Sequence, residues 1–133
     1  MDNLKDELSN VVSRVRSFTL SVLEGEPNRL YDAACTYLAS GGKKLRPFMV
    51  IKSCEMFSGM EEKALPAAAA VELIHNFSLI HDDIMDNDDI RHGISTVHKK
   101  FGLPIALILE ISCSRKLFRY CHCKERELGM MTP

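Results

Sequence analysis

The sequence predicts an all-α protein, on two observations. Apolar residues recur at helical spacing in successive segments, and no stretch shows the alternation of a half-buried strand. One segment, Ala67 to Ile80, is apolar almost throughout, broken only by Glu72, His75, Asn76 and Ser78. A helix that apolar belongs in an interior. The expected architecture is a set of antiparallel helices around it.

The elements follow in order. Leu4, Leu8, Val11, Val12, Val15, Phe18, Val22 and Leu23 mark a first helix, ended by Gly25-Glu26-Pro27. Asn28 reads as the cap of a second, which carries Leu30, Ala34, Tyr37 and Leu38 and breaks at Gly41-Gly42. A third starts near Pro47, a residue suited to a first helical turn, and runs through Phe48, Val50, Ile51, Cys54 and Phe57 to Ser58-Gly59. The apolar fourth has Pro66 near its start and Asp82 to Asp86 at its far end. Asn87 to Ser95 reads as a polar loop, and Thr96 to Ile108 as a fifth helix interrupted around Gly102 and Pro104.

The bulk properties narrow the function classes. The chain has 133 residues, enough for one domain with a core, and a net charge of -1, which offers no field to recruit nucleic acid or an anionic membrane. No apolar run reaches the length of a membrane span, and Met1-Asp2-Asn3-Leu4-Lys5 leads into a charged amphipathic pattern rather than a signal peptide. The expectation is a cytoplasmic protein. Of five cysteines, Cys35 and Cys54 fall in helical patterns as small apolar fillers, so no disulfide framework is expected.

The chemistry concentrates at the end of the fourth helix. Asp82, Asp83, Asp86, Asp88 and Asp89 fall within eight residues. Carboxylates gathered where a buried helix ends line a cavity and require cations, magnesium above all. At about 100° per residue, Asp82 and Asp86 share one edge while Asp83 points about 100° away. The first and last can share metal ions, and the middle one supports the helix end. Magnesium binds few carboxylates and keeps its other positions for water and phosphate, so the implied ligand is a di- or polyphosphate. Two basic clusters bracket the acids. Gly41-Gly42-Lys43-Lys44-Leu45-Arg46 precedes a helix start, where backbone N–H groups and the dipole favour an anion. Arg91-His92-Gly93 follows the acids.

At these residues the chain resembles the trans-isoprenyl diphosphate synthases of the polyprenyl synthetase family, the short-chain farnesyl and geranylgeranyl type. Gly-Gly-Lys-Lys-Leu-Arg-Pro resembles their GGKxxRP motif, and Val71 to Asp86 resembles the helix with their first aspartate-rich motif. The resemblance runs from about residue 28 to Ile108 and implies the N-terminal part of an antiparallel bundle of the isoprenoid synthase type. It implies Mg2+ on Asp82 and Asp86, bridging to an allylic diphosphate, with Asp83 in support and Arg91 on the same diphosphate. It implies Lys43, Arg46 and His75 on the diphosphate of isopentenyl diphosphate. His92 stands where the family has a second arginine, and a partly charged imidazole is the poorer diphosphate partner. Phe77, five residues before the first aspartate, would form a floor for the growing chain and point to C15–C20 products. The implied reaction ionises the allylic diphosphate, adds isopentenyl diphosphate to the cation and loses a proton, inside a tunnel that excludes water. For full-length members the resemblance implies a homodimer.

Residues 1–108 therefore read as the N-terminal part of a synthase domain, and 109–133 as an out-of-frame tail. The family continues with a sequence such as Ala-Gly-Asp-Phe-Leu-Phe-x-Lys-Ala-Phe, whereas this chain reads Leu109-Glu110-Ile111-Ser112-Cys113-Ser114-Arg115-Lys116-Leu117. With suitable synonymous codons, a single base inserted after the Ile108 codon turns the second sequence into the first. Cys121-His122-Cys123 then needs no zinc, and its spacing lacks the usual Cys-x-x-Cys. The isolated chain is expected to be inactive, with one wall of the cavity and an uncovered apolar face. Alternative readings are a non-catalytic binding or regulatory subunit pairing with a full-length synthase, a histidine–aspartate metal phosphohydrolase using His75, His81, His92 and His98, and a terpene cyclase, against which the Gly-Gly-Lys cluster argues.

Overall fold

The structure is a computed structural model and describes residues 2–23, 27–39, 43–112 and 115. It contains α1 (Asp2–Leu23), α2 (Asn28–Ala39), α3 (Leu45–Met56), α4 (Glu61–Met85), β1 (Ile90–Arg91), β2 (Ile94–Ser95) and α5 (Val97–Phe101). Helical backbone resumes over residues 103–112. No helix among the described residues is long and apolar enough to cross a membrane.

Helix α4 is the axis of the fold and packs against α1, α3 and α5. Its lower half, with Ala64, Ala68 and Ala69, joins Val11, Val15 and Ile51 in one core cluster. Its upper half, with Leu73, Phe77 and Ile80, joins Leu23, Ala33, Ala34, Leu38, Val97, Ala106 and Leu109 in another. Among the buried residues, α4 contributes only alanines to the first cluster, and Leu73, Phe77 and Ile80 to the second. Glu61 and Glu62 sit in the first turn of α4, where carboxylates complement the helix dipole. Pro66 lies inside α4, so the helix begins earlier than the proline suggests.

The helix is not covered all round. Ala67, Val71, Ile74, Ser78 and Met85 are exposed and recur at helical spacing, forming an open stripe; Ile74 is 59% and Met85 72% exposed. The sequence reading had the whole segment buried, and composition alone cannot say which face of a uniformly apolar helix finds a neighbour. Leu4 likewise turns outward at 61%, and fully buried Thr19 joins the inner face of α1, its hydroxyl donating to the Val15 carbonyl.

Three local expectations are corrected. The first bonds of α2, from the N–H groups of Leu30 and Tyr31, go to the Pro27 carbonyl, so Pro27 rather than Asn28 stands at that boundary. The loop after α4 contains a hairpin, with Ile90 opposite Ser95 and Arg91 opposite Ile94. Its two tip residues, His92 (φ 51) and Gly93 (φ 80), are both left-handed, as a two-residue turn of the primed type requires. The fifth helix is two helices. Gly102, at φ 91 and ψ 152, ends α5, and its carbonyl accepts from Ala106 to open the next segment. The Gly41-Gly42 break, Cys121-His122-Cys123 and most of the 109–133 stretch lie outside the described residues.

Candidate diphosphate and metal site

Two rows of polar residues run along α4. The outer row holds His75, Asp82 and Asp86. Steps of seven and four residues keep them within about 40° of one another. The Asp86 N–H donates to the Asp82 carbonyl at 2.8 Å, so the two acids stand one turn apart on one edge. Both are exposed, and neither carboxylate makes a hydrogen bond or ion pair with a described residue. The inner row holds Glu72, Asn76 and Asp83, all buried. The outer row lies between this buried row and the open stripe.

The inner row is where the basic segments attach. Lys44 Nζ lies 2.7 Å from Glu72 Oε1, and Asn76 Nδ2 donates to the same oxygen at 3.1 Å. Arg91 Nε donates to Asp83 Oδ1, and Arg91 Nη2 stands 3.8 Å from Asp88 Oδ2. Asp83 Oδ2 is buried with no hydrogen-bond partner among the described residues. Buried carboxylates persist when paired, and these pairs draw the turn before α3 and the hairpin against α4.

The outer row receives its own cation. Arg46 Nη1 lies 3.1 Å from His75 Nε2. Desolvation pushes the His75 pKa below 6.5, and the charges of Arg46, Lys44 and Arg91 push the same way, with Glu72 opposing. The cations of both basic segments therefore act on one histidine, two turns below Asp82. Lys43 is exposed beside them, and His92 is exposed at the hairpin tip without a hydrogen bond or ion pair to a described residue.

Beside this edge opens a cleft of about 330 Å3, lined by Ile74, Phe77, Ser78, His81, Asp82 and Glu110. Asp82 is its only lining member on the outer row. The cleft follows α4 back to Ile74, and His81 Nδ1 is 3.4 Å from Glu110 Oε2 across it. Ile74, Ser78 and Glu110 were absent from the sequence-based site. The first two belong to the open stripe of α4, and Glu110 comes from a distant segment.

Among the described residues, no three of His, Cys, Asp or Glu are placed to hold a metal ion together. The ring nitrogens of His98 are buried without hydrogen-bond partners among the described residues. Two free carboxylates on one edge suit magnesium, which takes one or two from a protein and completes its octahedron with water and phosphate.

The described residues thus form a helical bundle with paired acids on its central helix. The polyprenyl synthetase family profile matches residues 27–128. The chain is 42% identical over 108 residues to a geranylgeranyl diphosphate synthase of Sulfolobus acidocaldarius, covering 81% of this chain and 33% of that protein. It is 42% identical over 125 residues to the corresponding synthase of Methanosarcina mazei, covering 93% of this chain and 39% of that one. It superposes on the geranylgeranyl pyrophosphate synthetase structure from Geoglobus acetivorans with a TM-score of 0.78 at 40% identity, covering 84% of this chain and 37% of that one. The chain belongs to the polyprenyl synthetase family. It spans about a third of the length of the curated relatives it matches.

Proposed function

We propose that this chain carries the first metal and diphosphate sites of a magnesium-dependent trans-prenyltransferase, which condenses isopentenyl diphosphate with an allylic diphosphate. One observation carries the reading: the Arg46–His75 pair, Asp82 and Asp86 follow one another along a single edge of α4, beside a cleft into which Ile74 and Phe77 face. Lys43, Arg46 and neutral His75 bind the diphosphate of isopentenyl diphosphate. Asp82 and Asp86 hold magnesium, which when bound neutralises the allylic diphosphate as a leaving group. Arg91, held by Asp83 and near Asp88, offers its Nη1 side to that diphosphate. The cleft takes the hydrocarbon and keeps water from the reacting carbons. Phe77, about 7.5 Å down the helix axis from Asp82, stops the chain at C15–C20.

The isolated 133-residue chain is inactive in this reading, because the open stripe of α4 leaves the cavity with one wall. The decisive experiment grafts residues 1–108 onto the remainder of the Sulfolobus acidocaldarius synthase and supplies labelled isopentenyl diphosphate with dimethylallyl diphosphate. Chain elongation that is lost on Asp82→Asn supports the proposal. A folded chimera without activity overturns it, and elongation by the 133-residue chain alone overturns its inactivity.

Residues 109–133 are proposed as out-of-frame translation. This rests on the codon argument alone, since the family match continues to residue 128 and Leu109 is buried in the core. Reading the gene past the Ile108 codon decides it; an intact frame with no family-like sequence in the neighbouring one ends the idea. The exposed stripe also favours a second reading, a non-catalytic subunit that pairs with a full-length synthase. Co-purification with such a synthase supports that one.

A further inference from the structure

Two acids outside the metal edge have a separate use. Glu72 and Asp83 lie eleven positions apart on α4, about 16.5 Å along its axis and within about 20° around it. Glu72 is 4% exposed and Asp83 0%. Each pairs with one cation from another segment, Lys44 and Arg91 respectively. Each of those cations is at or next to a left-handed residue: Lys44 itself has φ 46, and His92, directly after Arg91 of β1, has φ 51. Non-glycine residues are uncommon in such backbone, and a buried ion pair at the same turn helps to hold it.

We infer that Glu72 and Asp83 are positioning residues that set the two phosphate-binding arms at a fixed separation along α4. Glu72 acts through Lys44 and fixes the turn that presents Lys43 and Arg46. Asp83 acts through Arg91 Nε, fixing the hairpin; with Nη2 near Asp88 Oδ2, the Nη1 side of the guanidinium remains for ligand beside Asp82 and Asp86. Asp83 is thereby the member of the aspartate-rich run that serves an arginine instead of a metal. The inference rests on the diphosphate reading of the site proposed above.

The test titrates the intact chain with inorganic pyrophosphate, first in a chelator and then in excess magnesium. Metal-free binding reports the Lys43–Arg46 arm, and the increment added by magnesium reports the Asp82–Asp86–Arg91 arm. Glu72→Gln is expected to weaken metal-free binding about tenfold and spare the increment. Asp83→Asn is expected to do the reverse by a similar factor. Circular dichroism at the titration temperature verifies that each variant is folded. Should Asp83→Asn not fold, the other arm still decides: the Glu72→Gln/Lys44→Gln double variant loses no more than the Glu72→Gln single, because the pair acts as one unit. Equal losses in both titrations, no loss in either, or additive losses in the double variant overturn the inference. If the wild-type chain binds pyrophosphate in neither condition, the diphosphate reading itself falls and takes this with it.

Discussion

Arg46 Nη1 stands 3.1 Å from His75 Nε2, and a guanidinium can only donate, so the imidazole accepts there and is neutral. Burial first, and then Arg46, keep its pKa below 6.5. The unfolded chain titrates at the ordinary value, so below it the unfolded state takes up a proton that the folded state refuses. The stability present above 6.5 is therefore lost as pH falls toward the folded-state value. Urea midpoints measured across this range should fall more steeply for the wild type than for His75→Asn. Arg46→Met should raise the His75 pKa only part of the way, read by NMR, because burial remains.

Adjacent aspartates should respond oppositely to the same change. Asp82 is exposed and unpaired among the described residues, whereas Asp83 is fully buried and bonded to Arg91. Asp82→Asn should leave stability within about 0.5 kcal/mol and abolish the magnesium-dependent part of pyrophosphate binding. Asp83→Asn should cost about 1–3 kcal/mol, since a buried charged hydrogen bond is weakened. Thermal melts beside calorimetric titrations check both.

The open face of α4 gives a second neighbouring pair. Leu73 is 2% exposed and Ile74 59%. Leu73→Ala should cost about 2–5 kcal/mol. Ile74→Lys should leave stability nearly unchanged and reduce self-association in light scattering, because it breaks the apolar stripe.

Gly102→Ala should destabilise the chain by about 1–3 kcal/mol, because φ 91 with ψ 152 is backbone that side chains resist. No crowding contributes, as the nearest contact of an added Cβ would be Pro104 at 3.8 Å. Chemical denaturation reads the loss.

Helical periodicity carried much of this structure. It set α1 to α4 near their observed positions and separated Asp83 from the shared edge of Asp82 and Asp86. It failed where geometry depends on one residue or on a distant partner. His92-Gly93 is not a usual primed-turn pair, so the hairpin around Arg91 looked like loop. Gly102 was noted as an interruption, but only its positive φ makes it a break between two helices. Motif spacing picked out Lys43 and Arg46 and passed over Lys44, whose partner is Glu72, 28 residues away. A clue was present: a lone glutamate inside an apolar helix must find a cation. The open stripe had no such clue, because a helix apolar on every face does not reveal which side lacks a neighbour.

The central claim is that one edge of α4 gathers metal and diphosphate, and paramagnetic NMR tests it most directly. Manganese, standing in for magnesium, is added to the labelled chain with pyrophosphate. The account predicts amide broadening centred on Asp82 and Asp86, fading toward His75 and absent in Asp82→Asn. Broadening centred elsewhere, or none at all while the chain is folded, would contradict it.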